Sequence, residues 1–139
     1  MSLSGAELHT LLAASGRIAV VGHSDKPYRT SYHIGQYLRA AGYRVWAVNP
    51  QLRSVLDEPA YPDLRSLPEP VDIVNIFRRS EHVAQIVADA IAVGARAVWT
   101  QIGVEDGAAA ERARAAGLIV VMNRCIMVEH QRLGIPRRA

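Results

Sequence analysis

The sequence predicts a single α/β domain in which helices cover both faces of a doubly wound parallel sheet of about five strands. Two observations predict this class. An Ala-X-Gly phrase closes four amphipathic or alanine-rich segments, at residues 14–16, 40–42, 92–94 and 115–117. Because glycine accepts the left-handed backbone that ends a helix, each phrase predicts a helix, its cap and then a strand. The runs between them are short and almost continuously apolar, which is typical of strands buried on both faces.

The elements are predicted in the order α-β-α-β-loop-β-α-β-α-β-α. A capping box of Ser4 and Glu7 opens the first helix, over residues 4–14. The predicted strands are Ile18–Val21, Val45–Val48, Val71–Ile76, Ala97–Trp99 and Leu118–Met122. The second helix follows the loop at residues 22–30, and Ser80 is the expected N-cap of the third. The last two helices are expected at Glu105–Ala116 and Arg124–Leu133.

The ends of the domain and its longest loop are less regular. The segment between Asn49 and Pro70 shows no long period and is expected to hold one short turn near Asp63–Leu67. The core is expected to span residues 17–133, and residues 134–139 to form a short basic tail in which Arg137-Arg138 is frayed. Because 139 residues is the length of a single domain, residues 1–139 are predicted to form one domain.

Composition and charge narrow the class of function. The net charge is +3, Lys26 is the only lysine and no basic run occurs, so we expect no nucleic-acid partner. The single cysteine, Cys125, excludes a disulfide framework, and the five histidines show no metal-ligand spacing. No apolar run approaches the ~20 residues of a membrane span, and residues 1–12 lack signal-peptide features. We expect a soluble, cytoplasmic protein with no membrane partner; the sequence identifies no protein partner.

Hydrogen-bond donors and cations follow the predicted strands. In a doubly wound sheet, ligands bind beyond the carboxyl ends of the strands, where the strand order reverses. The loop at residues 22–31 leads from a buried strand into a helix N-terminus, where backbone N–H groups and the dipole favour phosphate. Lys26 and Arg29 add full charges to it, so the sequence predicts a phosphate-bearing ligand. The alternative is that Gly22 and Ser24 only form the turn and the cations are solvated.

Two common phosphate ligands are disfavoured. An NAD site of the G-x-G-x-x-G type needs three glycines, and Gly22 is the only glycine in this loop. It also needs an acid at the end of the second strand, where this sequence has Asn49-Pro50. The G-x-x-x-x-G-K-[ST] loop that binds ATP is absent.

Five segments at the strand ends resemble a known family: Val20–Ser24 with Pro27, Val48–Pro50, Val74–Arg78, Trp99–Gly103 and Val121–Ile126. They look like the motifs of the small stand-alone CoA-binding proteins, whose Rossmann-like fold is similar to the N-terminal CoA-binding domain of the succinyl-CoA synthetase alpha subunit. The resemblance runs in order from about Arg17 to Leu133. Two features depart from the synthetase: its loop carries more glycines than residues 23–28, and its phosphohistidine lies in a second domain absent from this sequence.

The resemblance implies that the Gly22–Ser31 loop cradles the phosphates of coenzyme A. It implies that Asn49-Pro50 and the Phe77-Arg78 turn border the nucleotide, and that Gln101 and Gly103 lie near the pantetheine. The residues expected to bind CoA are Gly22, His23, Ser24, Lys26, Pro27, Arg29, Ser31, Asn49, Pro50, Phe77, Arg78, Gln101, Gly103 and Asn123.

The favoured interpretation is non-catalytic binding of CoA or acyl-CoA, because the strand-end residues contain no catalytic constellation. The alternative is a small enzyme, either an NAD(P)-dependent oxidoreductase or a CoA-thioester enzyme that uses Cys125 as nucleophile beside Glu129 and His130. A free cysteine is more often a small apolar filler of the core. The ring of His23 is expected either to donate to a phosphate or to be exposed in the turn, and Phe77 to contact the ligand.

Overall fold

The computed structural model describes residues 3–138 of the chain. Its helices are α1 (Gly5–Ala14), α2 (Thr30–Ala40), α3 (Val83–Ala92), α4 (Gly107–Ala115) and α5 (Ile126–Arg132). Its strands are β1 (Arg17–Val21), β2 (Arg44–Val48), β3 (Ser54–Val55), β4 (Glu58–Tyr61), β5 (Ile73–Ile76), β6 (Ala97–Thr100) and β7 (Ile119–Val121). Short 3₁₀ turns occupy Leu64–Ser66 and Ser80–His82.

The strands form one sheet in the order β3-β4-β2-β1-β5-β6-β7. Neighbouring strands run parallel throughout, except for the antiparallel pair β3 and β4 at the edge. From β1 the chain passes to β2 on one side and then returns to β5 on the other, so the strand order reverses beside β1. This is the predicted doubly wound α/β fold, and it puts the carboxyl ends of β1, β2 and β5 next to one another.

The alternation of side chains along each strand builds a separate core on each face of the sheet. In β1, Ile18 and Val20 point to the face covered by α1, α2 and α5, and Ala19 points to the face covered by α3 and α4. Trp99 and Trp46 are buried, one in each core. Both faces are apolar along the central strands, which explains their continuous hydrophobic runs.

The hairpin of β3 and β4 was not predicted. Each strand is short, and their turn places Leu56 and Asp57 in left-handed backbone, at φ 52° and 62°. Hairpin turns of this kind are usually signalled by Asn-Gly or Asp-Gly, and this turn carries neither. The expected turn near Asp63 is present as the 3₁₀ turn at Leu64–Ser66.

Two expectations about helix and chain ends are wrong. Ser80 does not cap α3, because its hydroxyl accepts from the Glu105 backbone N–H at 3.0 Å and a 3₁₀ turn precedes the helix. Arg138 is not frayed: its backbone N–H donates to the Ala41 carbonyl at 2.8 Å, and its Nη1 donates to the Ala13 carbonyl at 3.0 Å.

No helix within residues 3–138 has the length and apolar character needed to cross a membrane.

Candidate functional site

Two adjoining clefts lie at the carboxyl ends of β1, β2 and β5, where the strand order reverses. The first cleft has a volume of about 580 Å³ and is lined by Gly22, Ser24, Asp25, Lys26, Tyr28, Arg29, Thr30, Ser31, Asn49, Gln51, Leu52 and Phe77. The second cleft has a volume of about 520 Å³ and is lined by Gly22, Arg29, Asn49, Pro50, Gln51, Arg78, Arg79 and His82. Four residues are common to both, so the clefts form one continuous groove.

Gly22 lies at the junction of the two clefts. Its backbone N–H donates to the Val48 carbonyl at 2.8 Å, which ties the end of β1 to β2. Its φ of +90° is in the left-handed region, and a Cβ there would lie 3.1 Å from the Phe77 carbonyl oxygen and 3.2 Å from the Arg78 Cδ. Glycine is therefore favoured here, because another residue would be strained in this backbone conformation and its Cβ would crowd the chain after β5.

The loop after Gly22 is folded by its own polar side chains. The Ser31 hydroxyl accepts from the Ser24 backbone N–H at 3.0 Å, and the Ser24 hydroxyl accepts from the Lys26 backbone N–H at 3.0 Å. The two hydroxyls therefore hold the loop in place, so that its cations project around the first cleft. Lys26 is exposed and lies 3.9 Å from Asp25, a weak surface pair.

The N-terminus of α2 opens on the first cleft without a side-chain cap. Its N-cap, Arg29, makes no capping hydrogen bond, and no acid lies in the first turn. Ser4 caps α1 and Asp106 caps α4, whereas α3 and α5 also begin without a side-chain cap. Free N–H groups and the positive end of the α2 dipole therefore point toward a cleft that also contains two cationic side chains, an arrangement that favours an anion.

His23 is placed differently from either expectation, because its side chain is completely buried and lines neither cleft. Nδ1–H donates to the Ser24 carbonyl at 2.8 Å, and Nε2 accepts from Arg39 Nη1 at 2.9 Å. Both ring nitrogens are occupied, so the ring has no donor for a phosphate. Burial lowers the pKa of His23 to about 4; the hydrogen bond to Ser24 opposes this shift, and the charge of Arg39 adds to it.

Arg39 connects His23 to the edge hairpin. Arg39 Nε donates to Glu58 Oε1 at 3.3 Å, and Arg44 pairs with the other oxygen of Glu58. Burial would raise the pKa of Glu58, but hydrogen bonds and charges from Arg44 and Arg39 outweigh it and lower that pKa. The Glu58 carboxylate thus stays charged and holds the guanidinium against His23. Gly35 of α2 leaves the space for the ring, because a Cβ there would collide with His23 Nε2.

The Asn49 side chain is also used internally. Its Nδ2 donates to the His23 carbonyl at 3.1 Å, and its Oδ1 accepts from the Gln51 backbone N–H at 2.9 Å. The amide therefore fixes the loops after β1 and β2 against each other, at the position where an NAD site would present a carboxylate to the ribose.

The predicted residues divide into two groups. Those after β1, β2 and β5 converge on the groove, apart from His23 and Pro27, which do not line it. Those after β6 and β7 lie farther along the sheet edge and line neither cleft; they are Gln101, Gly103 and Asn123. Asn123 Oδ1 accepts from the Gly103 backbone N–H at 2.7 Å, which joins the two loops.

Seven lining residues are additional to the predicted set: Asp25, Tyr28, Thr30, Gln51, Leu52, Arg79 and His82. Asp25, Tyr28 and Thr30 lie inside the predicted Gly22–Ser31 loop. Gln51, Leu52 and Arg79 lie within two positions of a predicted residue, so a small extension of those strand-end segments would have included them. The structure itself draws attention to Tyr28, because an aromatic side chain that is 80% exposed in a loop is available to contact a ligand.

Cys125 is buried at the N-cap of α5 and lines neither cleft. Glu129, one turn later, is half-buried and pairs with Arg132 at 2.7 Å and Arg124 at 3.6 Å. Its carboxylate is thus occupied by two arginines, as expected for a structural acid. Among residues 3–138 no group of three or more His, Cys, Asp or Glu side chains could hold a metal ion.

Proteins of known sequence and structure share this fold. The chain is 38% identical over 127 residues to the protein YneT of Bacillus subtilis (strain 168), covering 91% of this chain and 94% of that one. The structure of a hypothetical protein from Pyrococcus horikoshii OT3 superimposes with a TM-score of 0.92 at 37% identity, covering 94% of this chain and 92% of that one.

A longer relative is the ADP-forming acetate–CoA ligase I of Archaeoglobus fulgidus. It is 33% identical over 72 residues, which are 52% of this chain and 10% of the ligase. The family model described as CoA binding domain matches residues 16–131, from the start of β1 almost to the end of α5. The chain therefore belongs to the CoA binding domain family.

Proposed function

We propose that this protein binds coenzyme A or an acyl-CoA in the groove at the carboxyl ends of β1, β2 and β5, without catalysing a reaction on it. The observation that carries the proposal is the uncapped N-terminus of α2, which opens on the first cleft beside Lys26 and Arg29. A diphosphate bound there would accept hydrogen bonds from free backbone N–H groups and interact with the helix dipole and both cations.

The neighbouring residues suit the rest of such a ligand. Phe77 is half-buried on the wall of the first cleft and offers an apolar surface beside Gly22. Gln101 and Gly103, farther along the sheet edge, are proposed to border the pantetheine arm. The family match and the CoA-dependent ligase among the relatives support CoA as the nucleotide.

Ligand choice is the direct test of the proposal. In a thermal-shift panel of CoA, acetyl-CoA, NAD, NADP and ATP, we expect CoA or acetyl-CoA to stabilise most. A specific ligand at a hundredfold excess over its Kd should add about 2.7 kcal/mol to the free energy of unfolding. NAD should stabilise less, because the end of β2 presents Asn49, whose amide is already bonded to its neighbours. Equal or greater stabilisation by NAD would contradict the assignment.

A further inference from the structure

The second cleft contains cations that binding of a diphosphate in the first cleft would not use. Arg78, Arg79 and His82 line its wall after β5, and none of its lining residues is acidic. Glu81 Oε1 lies 3.9 Å from Arg79 Nη1, but the Glu81 side chain is 66% exposed and the Arg79 side chain is 87% exposed. Such a pair is weak in water, so the Arg79 guanidinium is free to turn toward an anion in the cleft.

The two clefts meet at Gly22, Arg29, Asn49 and Gln51. A nucleotide with its diphosphate over the N-terminus of α2 would therefore place the attached ribose at this junction. A substituent on the ribose would then enter the second cleft. In coenzyme A that substituent is a monophosphate on the 3′ hydroxyl, an anion that guanidinium groups bind through paired hydrogen bonds.

We propose that the second cleft binds the ribose phosphate of the ligand, and that Arg79 with Arg78 and His82 makes the protein select a phosphorylated ribose over an unmodified one. The inference rests on the proposed function and adds to it the residues that determine specificity. The wall is open to solvent, so each charge contributes modestly and the selectivity arises from the sum of three donors.

The test is isothermal titration of wild-type protein with CoA and with dephospho-CoA, which lacks only the ribose phosphate. We expect CoA to bind at least about tenfold more tightly, as contacts from two partly exposed arginines and a histidine donor imply. In Arg79→Ala the affinity for CoA should fall more than that for dephospho-CoA, so that the ratio of the two decreases. Arg112→Ala removes an exposed arginine of α4 outside both clefts and should preserve the wild-type ratio.

The outcomes separate this inference from the proposed function. Tight binding of both ligands with equal affinity would overturn the role of the second cleft and leave CoA binding intact. A wild-type preference for CoA that persists in both Arg79→Ala and Arg78→Ala would also overturn it, because the phosphate would then be recognised elsewhere. Binding of neither ligand would overturn the proposed function itself.

Discussion

His23 shows how a buried residue of the loop after β1 can shape the groove without lining it. Its ring connects the Ser24 carbonyl to Arg39, and its backbone carbonyl is held by Asn49. The bonds assign the tautomer, since Nδ1 faces a carbonyl and must carry the proton while Nε2 accepts from a guanidinium. A second proton would place a charged imidazolium against Arg39 in a buried site. The neutral ring is therefore part of the folded loop.

The stability of the protein should consequently depend on pH through His23. The pKa is about 4 in the folded protein, against an ordinary value of 6.5. Stabilisation by the neutral ring is present above pH 6.5 and is lost as the pH falls toward 4, because the unfolded chain binds the proton first. Between about pH 7 and pH 5, wild type should lose about 2 kcal/mol more of its unfolding free energy than His23→Gln. Urea unfolding at the two values measures this difference.

His33→Gln is the matched control, because His33 is an exposed histidine on the adjoining helix α2. This variant should lose stability with falling pH as wild type does. Parallel pH profiles for wild type and His23→Gln would show that the buried ring does not resist protonation.

At the scale of elements, the junction of β1 with the loop places the backbone itself in the wall of the groove. Gly22 and Gly117 both have a φ of +90°, but a Cβ on Gly22 would crowd Phe77 and Arg78, whereas one on Gly117 would meet nothing within 4 Å. Alanine at either position should cost about 1 kcal/mol or more of stability through the left-handed backbone. Only Gly22→Ala should also weaken CoA binding, by roughly tenfold, because its methyl group occupies the junction of the clefts.

Urea unfolding of the two variants measures the loss of stability caused by backbone strain, and calorimetric titration measures the loss of CoA affinity. Both variants should lose stability, Gly22→Ala the more because of the crowding, and loss of CoA affinity in Gly22→Ala alone would support the site. If Gly22→Ala is folded and binds CoA as wild type does, the ligand does not lie on this loop.

Four of the five principal strands could be predicted because each is an apolar run that follows a helix-ending glycine. The fifth, β5, follows no such glycine and was predicted from its largely apolar run, which Asn75 interrupts. The edge hairpin could not be predicted, since a four-residue strand containing Pro59 has no strong period and the turn at Leu56-Asp57 lacks glycine. The strand order determines which strand-end loops meet, and local sequence does not encode it directly. This is why the loops after β1, β2 and β5 converge while Asn123, after β7, lies outside the groove.

Side-chain roles within the loop were harder to predict than its location. The residue types at residues 22–31 predict an anion site whichever way each side chain points. The burial of His23 depends on Arg39 and on the space left by Gly35, both one or more turns along α2. The position of the Arg39 guanidinium in turn depends on its ion pair with Glu58, which belongs to the hairpin that was not predicted.

At the scale of the whole molecule, the net charge of +3 attracts an anionic ligand from any direction. The cationic side chains of the groove add a positive electrostatic potential that is confined to the groove. Lys26→Ala and Arg112→Ala each remove one positive charge, so they change the net charge equally, but only Lys26 lines the groove. Because Lys26 is exposed and close to Asp25, its removal should cost about 1 kcal/mol of binding free energy or less, and added salt should reduce the difference from wild type.

Titrations of both variants with CoA at low and moderate salt distinguish local charge from net charge. We expect Lys26→Ala to weaken binding by up to about fivefold at low salt and Arg112→Ala to have little effect. Gly22→Ala should weaken binding more than Lys26→Ala, because displacing the backbone from the ligand also removes backbone N–H donors. Salt screens an exposed ammonium group, but it does not screen those hydrogen bonds in the same way. Equal losses in Lys26→Ala and Arg112→Ala would mean that CoA responds to the overall charge of the protein, and that the loop after β1 does not bind its phosphates.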